Sequence, residues 1–495
     1  MGTSTNHRNR VMDIIVVIAS VVLLSATNVH GRKDLAEPAT AGGTDFEAFN
    51  CRAQSGSIMD FGGVGDGKTS NTKAFQAAIT KLGAAPGGGQ LIIPAGKFLT
   101  SPFKLASHFT LYLQKDAVIL AAPEEAEYPV VDALPSYGKG NGPGMGRFTP
   151  FISGSDLTDV VITGDNGTID GQGQFWYDKD ATLKAHRPHL IEIMNTKDIL
   201  ISKVTLANSP SYHFHPVYSS NVIVRGITIL ANLTTKNTDG IIPDSTTNML
   251  IEDSYIASGE DCVSLKSGMD DFGVKFAKPT SQIAIRRLTC ITPTSSLISI
   301  GSEMSGGVSD VRAEDNTVIN SESGIRIKTN PGRGGHVKDI HVRKITMDTM
   351  KWAFFMTGEF ASQPNKNPPA ATPPVIEGIN LMDMTAKNVS TAGQLGGIKG
   401  HPFNGICMSN ITIEMAKAPP PAPPAWNCSD VAGTSSTVTP PICPPLAAKG
   451  PPACKFPTDK LPIETVKLQK CPVQVSAKAS GPSASPVGKA PSPSP

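Results

Sequence analysis

Three acidic residues stand in two short, turn-rich segments. Asp239 lies in Asn237-Thr-Asp-Gly240, and Glu260 and Asp261 lie in Ser258-Gly-Glu-Asp-Cys262. Carboxyl groups facing one groove are the minimal equipment for cutting a glycosidic bond: one protonates the leaving oxygen and another activates water or attacks the sugar. Crowded carboxyls raise one another's proton affinity, so one can stay protonated while others stay ionised. Glu260 and Asp261 are neighbours, and in a regular strand they would point to opposite faces. Gly259 permits the bend that lets both reach one groove. Cations follow: Lys266 after the acidic pair, then Arg326 and Lys328, which alternate onto one face of a strand. A guanidinium fork and an ammonium point charge suit a carboxylate-bearing sugar. The plainer alternative is an ordinary turn, an ordinary loop and a solvated basic face.

Bringing these residues together takes a scaffold that stacks distant segments. From about residue 155 the chain repeats a β-branched alternation, a polar turn and another alternation. Examples are Ile199-Leu-Ile-Ser-Lys-Val-Thr-Leu206, Val222-Ile-Val-Arg-Gly-Ile-Thr-Ile229 and Met249-Leu-Ile-Glu-Asp-Ser-Tyr-Ile256. The phrase returns at residues 283–289, 340–347 and 406–413. Its period falls mostly between about 23 and 34 residues, the range of repeat architectures. The alternation has period two, and no helical pattern intervenes, which argues against βαβ units. A β-sandwich would also supply many short strands. The similarity of successive units favours a parallel β-helix whose coils stack at about 4.8 Å. On that scaffold Asp239 and Glu260 lie about one coil apart, so their carboxyls can approach laterally. One helix is expected over residues 71–82, with Gly83 as its stop, covering the N-terminal end of the solenoid.

The chain has 495 residues, a charged fraction of 17% and a net charge of +2. Such a balance gives no global field for nucleic acid, so an anionic partner must meet local cations. Arg8 and Arg10 precede the apolar run Ile14–Leu24, which reads as a cleaved secretory signal over 1–31 rather than a membrane anchor. The eight cysteines all follow it and read as disulfides. Cys262 and Cys290, one coil apart, are a candidate pair. Acceptor motifs for N-linked sugars occur at Asn166, Asn232, Asn388, Asn410 and Asn427. No Cys/His cluster has zinc spacing, and neither metal nor cofactor is expected. The Gly-rich stretches Gly301–Gly307 and Gly332–Gly335 follow no strand-to-helix phosphate-loop pattern and read as turns. The expected organisation is a linker over 32–54, a hydrolase domain over 55–475 with a Pro/Cys-rich, disulfide-pinned insertion at about 417–457, and a disordered Pro/Ser/Ala-rich tail over 476–495.

With these residues in place, the chain resembles the polygalacturonases, family 28 of the glycoside hydrolases, and among them the secreted plant group. The resemblance runs from Phe61-Gly-Gly-Val-Gly-Asp-Gly67 to Asn410-Ile-Thr412. It includes Gly167–Gly173, Asn208-Ser-Pro-Ser-Tyr-His-Phe-His-Pro216, Asn237-Thr-Asp239, Gly259-Glu-Asp-Cys262, Gly301–Gly307 and Arg326-Ile-Lys328. It implies an all-β, right-handed, single-stranded parallel β-helix. It also implies inverting, metal-independent hydrolysis of α-1,4-galacturonosyl bonds in pectin by a monomer in the cell wall. Asp239 and Asp261 would activate water, Glu260 would be the general acid, and Asn237, Lys266, Arg326 and Lys328 would hold substrate. Two positions depart from the family pattern. Glu260 replaces the first residue of the usual Asp-Asp pair, and Ser296 stands where many members carry a histidine. These departures motivate an alternative, a pectin-binding wall protein with impaired catalysis. A calcium-dependent lyase on a β-helix would need an acidic ion cage that these motifs do not form.

Overall fold

The stretch Ile199–Leu206, a single phrase in the sequence, folds as two strands, Lys197–Ser202 and Thr205–Ala207. The corner between them is Lys203, in the left-handed region at φ 50°. The same corner recurs one coil on at Gly226, then at Asp253 (φ 52°) and Arg287 (φ 53°). A non-glycine residue there costs on the order of 1 kcal/mol and persists only where the surroundings over-determine it. Here the parallel ladders on either side of each corner do so. The structure, a computed structural model, describes residues 45–138, 146–360, 372–417, 419, 424–447 and 454–473. The expected signal (1–31) and tail (476–495) lie outside the described residues.

The strands stack into three parallel sheets that wind around one apolar core. In the first sheet Ile199 pairs with Val222, then Met249, Ile283, Val311, Ile340, Ile379 and Ile406 follow in register. These side chains are all buried. Each such side chain contributes about 1.5–3 kcal/mol on burial. The third sheet contains Ile152–Ser155, Ile191–Met194, Phe214–Val217, Val263–Leu265 and Ser296–Gly301. It continues through the ends of the long strands Val308–Lys328, His336–Thr357 and Val375–Gly396. Among the described residues no helix is long and apolar enough to cross a membrane.

The expected helix forms at Thr72–Gly83 and buries Ala74, Phe75, Ala78, Ile79 and Leu82. Gly83 is its last residue rather than its stop, because the chain turns only at Ala84. Two expectations need correction. Residues 46–48 of the expected linker form a strand antiparallel to Gln469–Cys471, with Phe46 and Ala48 buried. Within the expected insertion, Trp426–Ser429 and Val431–Thr439 continue the parallel ladders as the last coil. Pro-rich flanks hid that coil. Disulfides join Cys51–Cys471, Cys262–Cys290, Cys407–Cys454 and Cys428–Cys443. The five asparagines of the sugar-acceptor motifs are exposed.

Candidate active site

Asp239 and Asp261 each stand just ahead of the third sheet, one coil apart. Gly240 N donates to Asp261 O (2.9 Å) and Cys262 N donates to Ser296 O (2.9 Å), so the three residues climb the helix in successive coils. Two glycines allow this close stacking. A Cβ on Gly240 would lie 2.4 Å from the Cys262 carbonyl oxygen, and one on Gly259 would lie 2.3 Å from that of Thr235. The bend at Gly259 brings Glu260 round to Asp261. Ser295 Oγ lies 2.6 Å from Glu260 Oε1 and 2.5 Å from Asp261 Oδ1. Asp239 and Glu260 line one cavity of about 500 Å³.

The protons can be assigned from the hydrogen bonds. Asp261 Oδ1 also accepts from Ser296 Oγ (2.6 Å), and Oδ2 accepts from Lys328 Nζ (2.9 Å) and Ser264 Oγ (3.3 Å). Ser295 has a single hydroxyl proton, and Arg326 Nη1 donates to its oxygen at 3.1 Å. The Ser295 hydroxyl can donate to Glu260 Oε1 or to Asp261 Oδ1, and it serves Asp261 alone when Glu260 carries a proton. The electrostatics agree. Burial, then the Asp261 charge, pushes the Glu260 carboxyl up. Burial also favours the neutral form of Asp261, but the charges of Lys328 and Arg326, with hydrogen bonds from Lys328 and Ser295, hold it well below the usual carboxylate range. Asp239 is pushed well above that range by burial, then by Glu260 and Asp261. The family resemblance pairs Asp239 with Asp261 as bases, but their surroundings push the two in opposite directions.

The expected cations are present, and protein acids already engage them. Lys328 serves Asp261, and Arg326 pairs with Glu322 while lying 5.2 Å from the centre of the Phe355 ring. Lys266 is buried against Glu303 at 2.5 Å. Burial opposes its charge, yet Glu303, then Tyr212 and Asp239, hold its pKa well above the ordinary value. Asn237, Lys266 and Lys328 line the cavity, whereas Arg326 and Asp261 are buried beside it and not part of its lining. Ser296, in the place of the family's histidine, supplies Asp261 with a hydroxyl.

Sequence reasoning gave no role to Ser295, or to Glu303 although it lies in the Gly301–Gly307 motif. It also missed the floor on the N-terminal side of the acids. There His215 is held between Glu192 (Nδ1 to Oε2, 3.0 Å) and Asp244 (Nε2 to Oδ2, 3.3 Å). Arg147 pairs with Glu192 at 2.5 Å, and Tyr137 Oη donates to Asp244 at 2.5 Å. Burial lowers the affinity of His215 for a proton, but its bonds to Asp244 and Glu192 outweigh that and raise its pKa. His189 is driven well below its ordinary value by burial, then by His215, so it is a neutral ring, stacked 4.4 Å from Tyr212. His189, Glu192 and His215 have potential ligand atoms within 4.8 Å of one another. Both nitrogens of His215 already meet carboxylates, so the trio fits an ion-pair network better than a metal centre.

Comparison with known proteins places this geometry. A family model for glycosyl hydrolases family 28 matches residues 87–438. A probable polygalacturonase of Vitis vinifera is 54% identical over 92% of this chain and 94% of its own. An exopolygalacturonase from Thermotoga maritima is 27% identical with a TM-score of 0.69, over 82% of this chain and 94% of that one. A polygalacturonase from Erwinia carotovora, 23% identical with a TM-score of 0.61 over 82% of this chain and 100% of that one, shares the fold. The fold is thus the right-handed parallel β-helix implied by the motifs. The chain belongs to family 28 of the glycosyl hydrolases.

Proposed function

We propose that the chain hydrolyses α-1,4-galacturonosyl bonds of pectin with inversion, as an enzyme exported to the cell wall. The observation that carries this reading is the serine shared by two unlike carboxyls: Ser295 Oγ lies 2.6 Å from Glu260, whose proton affinity is pushed up, and 2.5 Å from Asp261, whose proton affinity is held down. Glu260 is the acid that protonates the leaving glycosidic oxygen. Asp261 takes a proton from water as its oxygen bonds to C1 on the opposite face of the sugar. Asp239, neutral at rest, holds that water. The products are two shorter uronans, one with a new reducing end, and exchange with solvent resets the two protons. Lys328 and Arg326 match the carboxylate of a galacturonic acid unit.

A binding-only role was motivated by the missing histidine and by glutamate at position 260; Ser296 still gives Asp261 a hydrogen bond, and Glu260 still lines the cavity. The test is release of reducing ends from polygalacturonate. Asp261→Asn and Glu260→Gln should each lower kcat by about a hundredfold or more. Wild-type levels in Asp261→Asn would overturn the assignment.

A further inference from the structure

Among the described residues the cleft is blind on one side of the acids and open on the other. On the N-terminal side, the short helix Pro135–Tyr137 lies in the connection between the strand Ala117–Ala121 of the second sheet and Ile152–Ser155 of the third. It crosses the outer face of the third sheet and packs on the helix Asp270–Phe276, which lies in the turn back to the first sheet. Met269 N donates to Ser136 O (2.9 Å), and Leu134 packs on Val217 and Tyr218. Gly138 sits at φ +66°, and a Cβ there would lie 2.4 Å from the Phe272 ring, so the crossing is close-fitted. Asp180 and Arg187, paired at 3.1 Å, add a second wall from the next connection. Beyond the acids, toward the C-terminus, the third sheet presents Arg326, Phe355 and Gln394 in register. Trp352 lies beside them, its ring 4.7 Å from that of Phe355, and Lys351 Nζ lies 3.8 Å over it. Both rings are only partly buried.

The acid and base sides fix the direction of the substrate. Glu260 leans on Ser295, toward the open side, whereas Asp239 faces the blind side. The leaving oxygen therefore lies toward Phe355, and the attacked C1 belongs to the ring in the pocket. That ring is on the non-reducing side of the bond. We propose that the site acts from a chain end. The non-reducing terminus of a uronan seats in the blind pocket, and the chain beyond the scissile bond lies on Phe355 and Trp352, its carboxylates competing with Glu322 for Arg326 and Lys351. The proposal rests on the hydrolase reading above. Flat rings suit the apolar faces of sugars, and the flanking cations suit uronates.

The experiment is a time course on hexagalacturonate labelled at its reducing end. The expected early products are a small unlabelled saccharide of fixed size and a labelled chain shortened by that unit. Labelled fragments of every size from the first minutes would overturn the chain-end proposal and leave the hydrolase reading intact. No cleavage of any oligomer would overturn both. Trp352→Ala should raise KM for the hexamer about three- to tenfold and leave kcat/KM on the shortest cleaved oligomer unchanged, while Trp352→Phe restores the hexamer's KM. An equal change on both substrates, or on neither, would overturn the platform.

Discussion

At the scale of the residue, the chemistry turns on hydroxyls as much as on acids. Ser295 and Ser296 both reach Asp261 Oδ1, at 2.5 and 2.6 Å, and each favours the ionised carboxylate. A hydrogen bond to a charged group is worth about 1.5–3 kcal/mol, or roughly one pKa unit or more. Asp261 must be ionised to take a proton from water, so activity is lost as pH falls through its depressed pKa. Removing a donor raises that pKa. Ser295→Ala and Ser296→Ala should therefore move the acid limb of the kcat profile to higher pH by about one unit. A limb that stays in place would show that the charges of Lys328 and Arg326 keep Asp261 ionised without the serines. The proximity of the three acids was legible in the sequence, because Asp239 and Glu260 are one coil apart and Gly259 marks a bend, but their roles came from the family resemblance and not from the spacing. The serines were not, since a hydroxyl gains meaning only from what it faces after folding. Nor was the engagement of Arg326 by Glu322 legible, because a residue's spacing does not reveal its partner.

At the scale of the element, the blind end depends on a buried run of charges. His215 faces Glu192, Asp244 and the neutral ring of His189, while Arg147 and Tyr137 bind the two carboxylates from the crossing connection. Its folded pKa is raised, so its protonation stabilises the fold fully below the ordinary value of about 6.5. That stabilisation is lost as pH rises through the raised value. The melting temperature should fall across that window, and His215→Gln should flatten the fall. An equally steep fall in His215→Gln would place the titration elsewhere. The alternating phrases of the first two sheets were legible, although those at 199–206, 222–229, 249–256 and 283–289 proved to be two strands around a left-handed corner. The short strand that carries His215 and the bridge at Asp244 were not read. The connections after Ala121 and Asp170, which wall the pocket, have no period to read. Their positions follow from contacts with Tyr218, Val217 and Phe272, all distant in sequence.

At the scale of the molecule, the two ends of the solenoid's chain meet on one face. Phe46 and Ala48 lie with Leu461, Ile463 and Cys471 against Ile92, Tyr112, Val161, Leu200, Ile223, Leu250 and Ala284. These are the outward side chains of the first sheet, which is therefore apolar on both faces over these coils. An even cysteine count made disulfides legible, but only folding could show that Cys51 pairs with Cys471 across 420 residues. A cross-link over so long a loop restricts the unfolded chain strongly, and its removal costs typically about 2–5 kcal/mol. The double variant Cys51→Ser/Cys471→Ser should unfold at lower guanidinium concentration. Its kcat at low temperature should be unchanged, because the acids sit on the third sheet and not under the staple. Loss of activity without loss of stability would mean that the terminal strands reach the site through the core. An unchanged unfolding midpoint would mean that the apolar seam alone holds the ends in place.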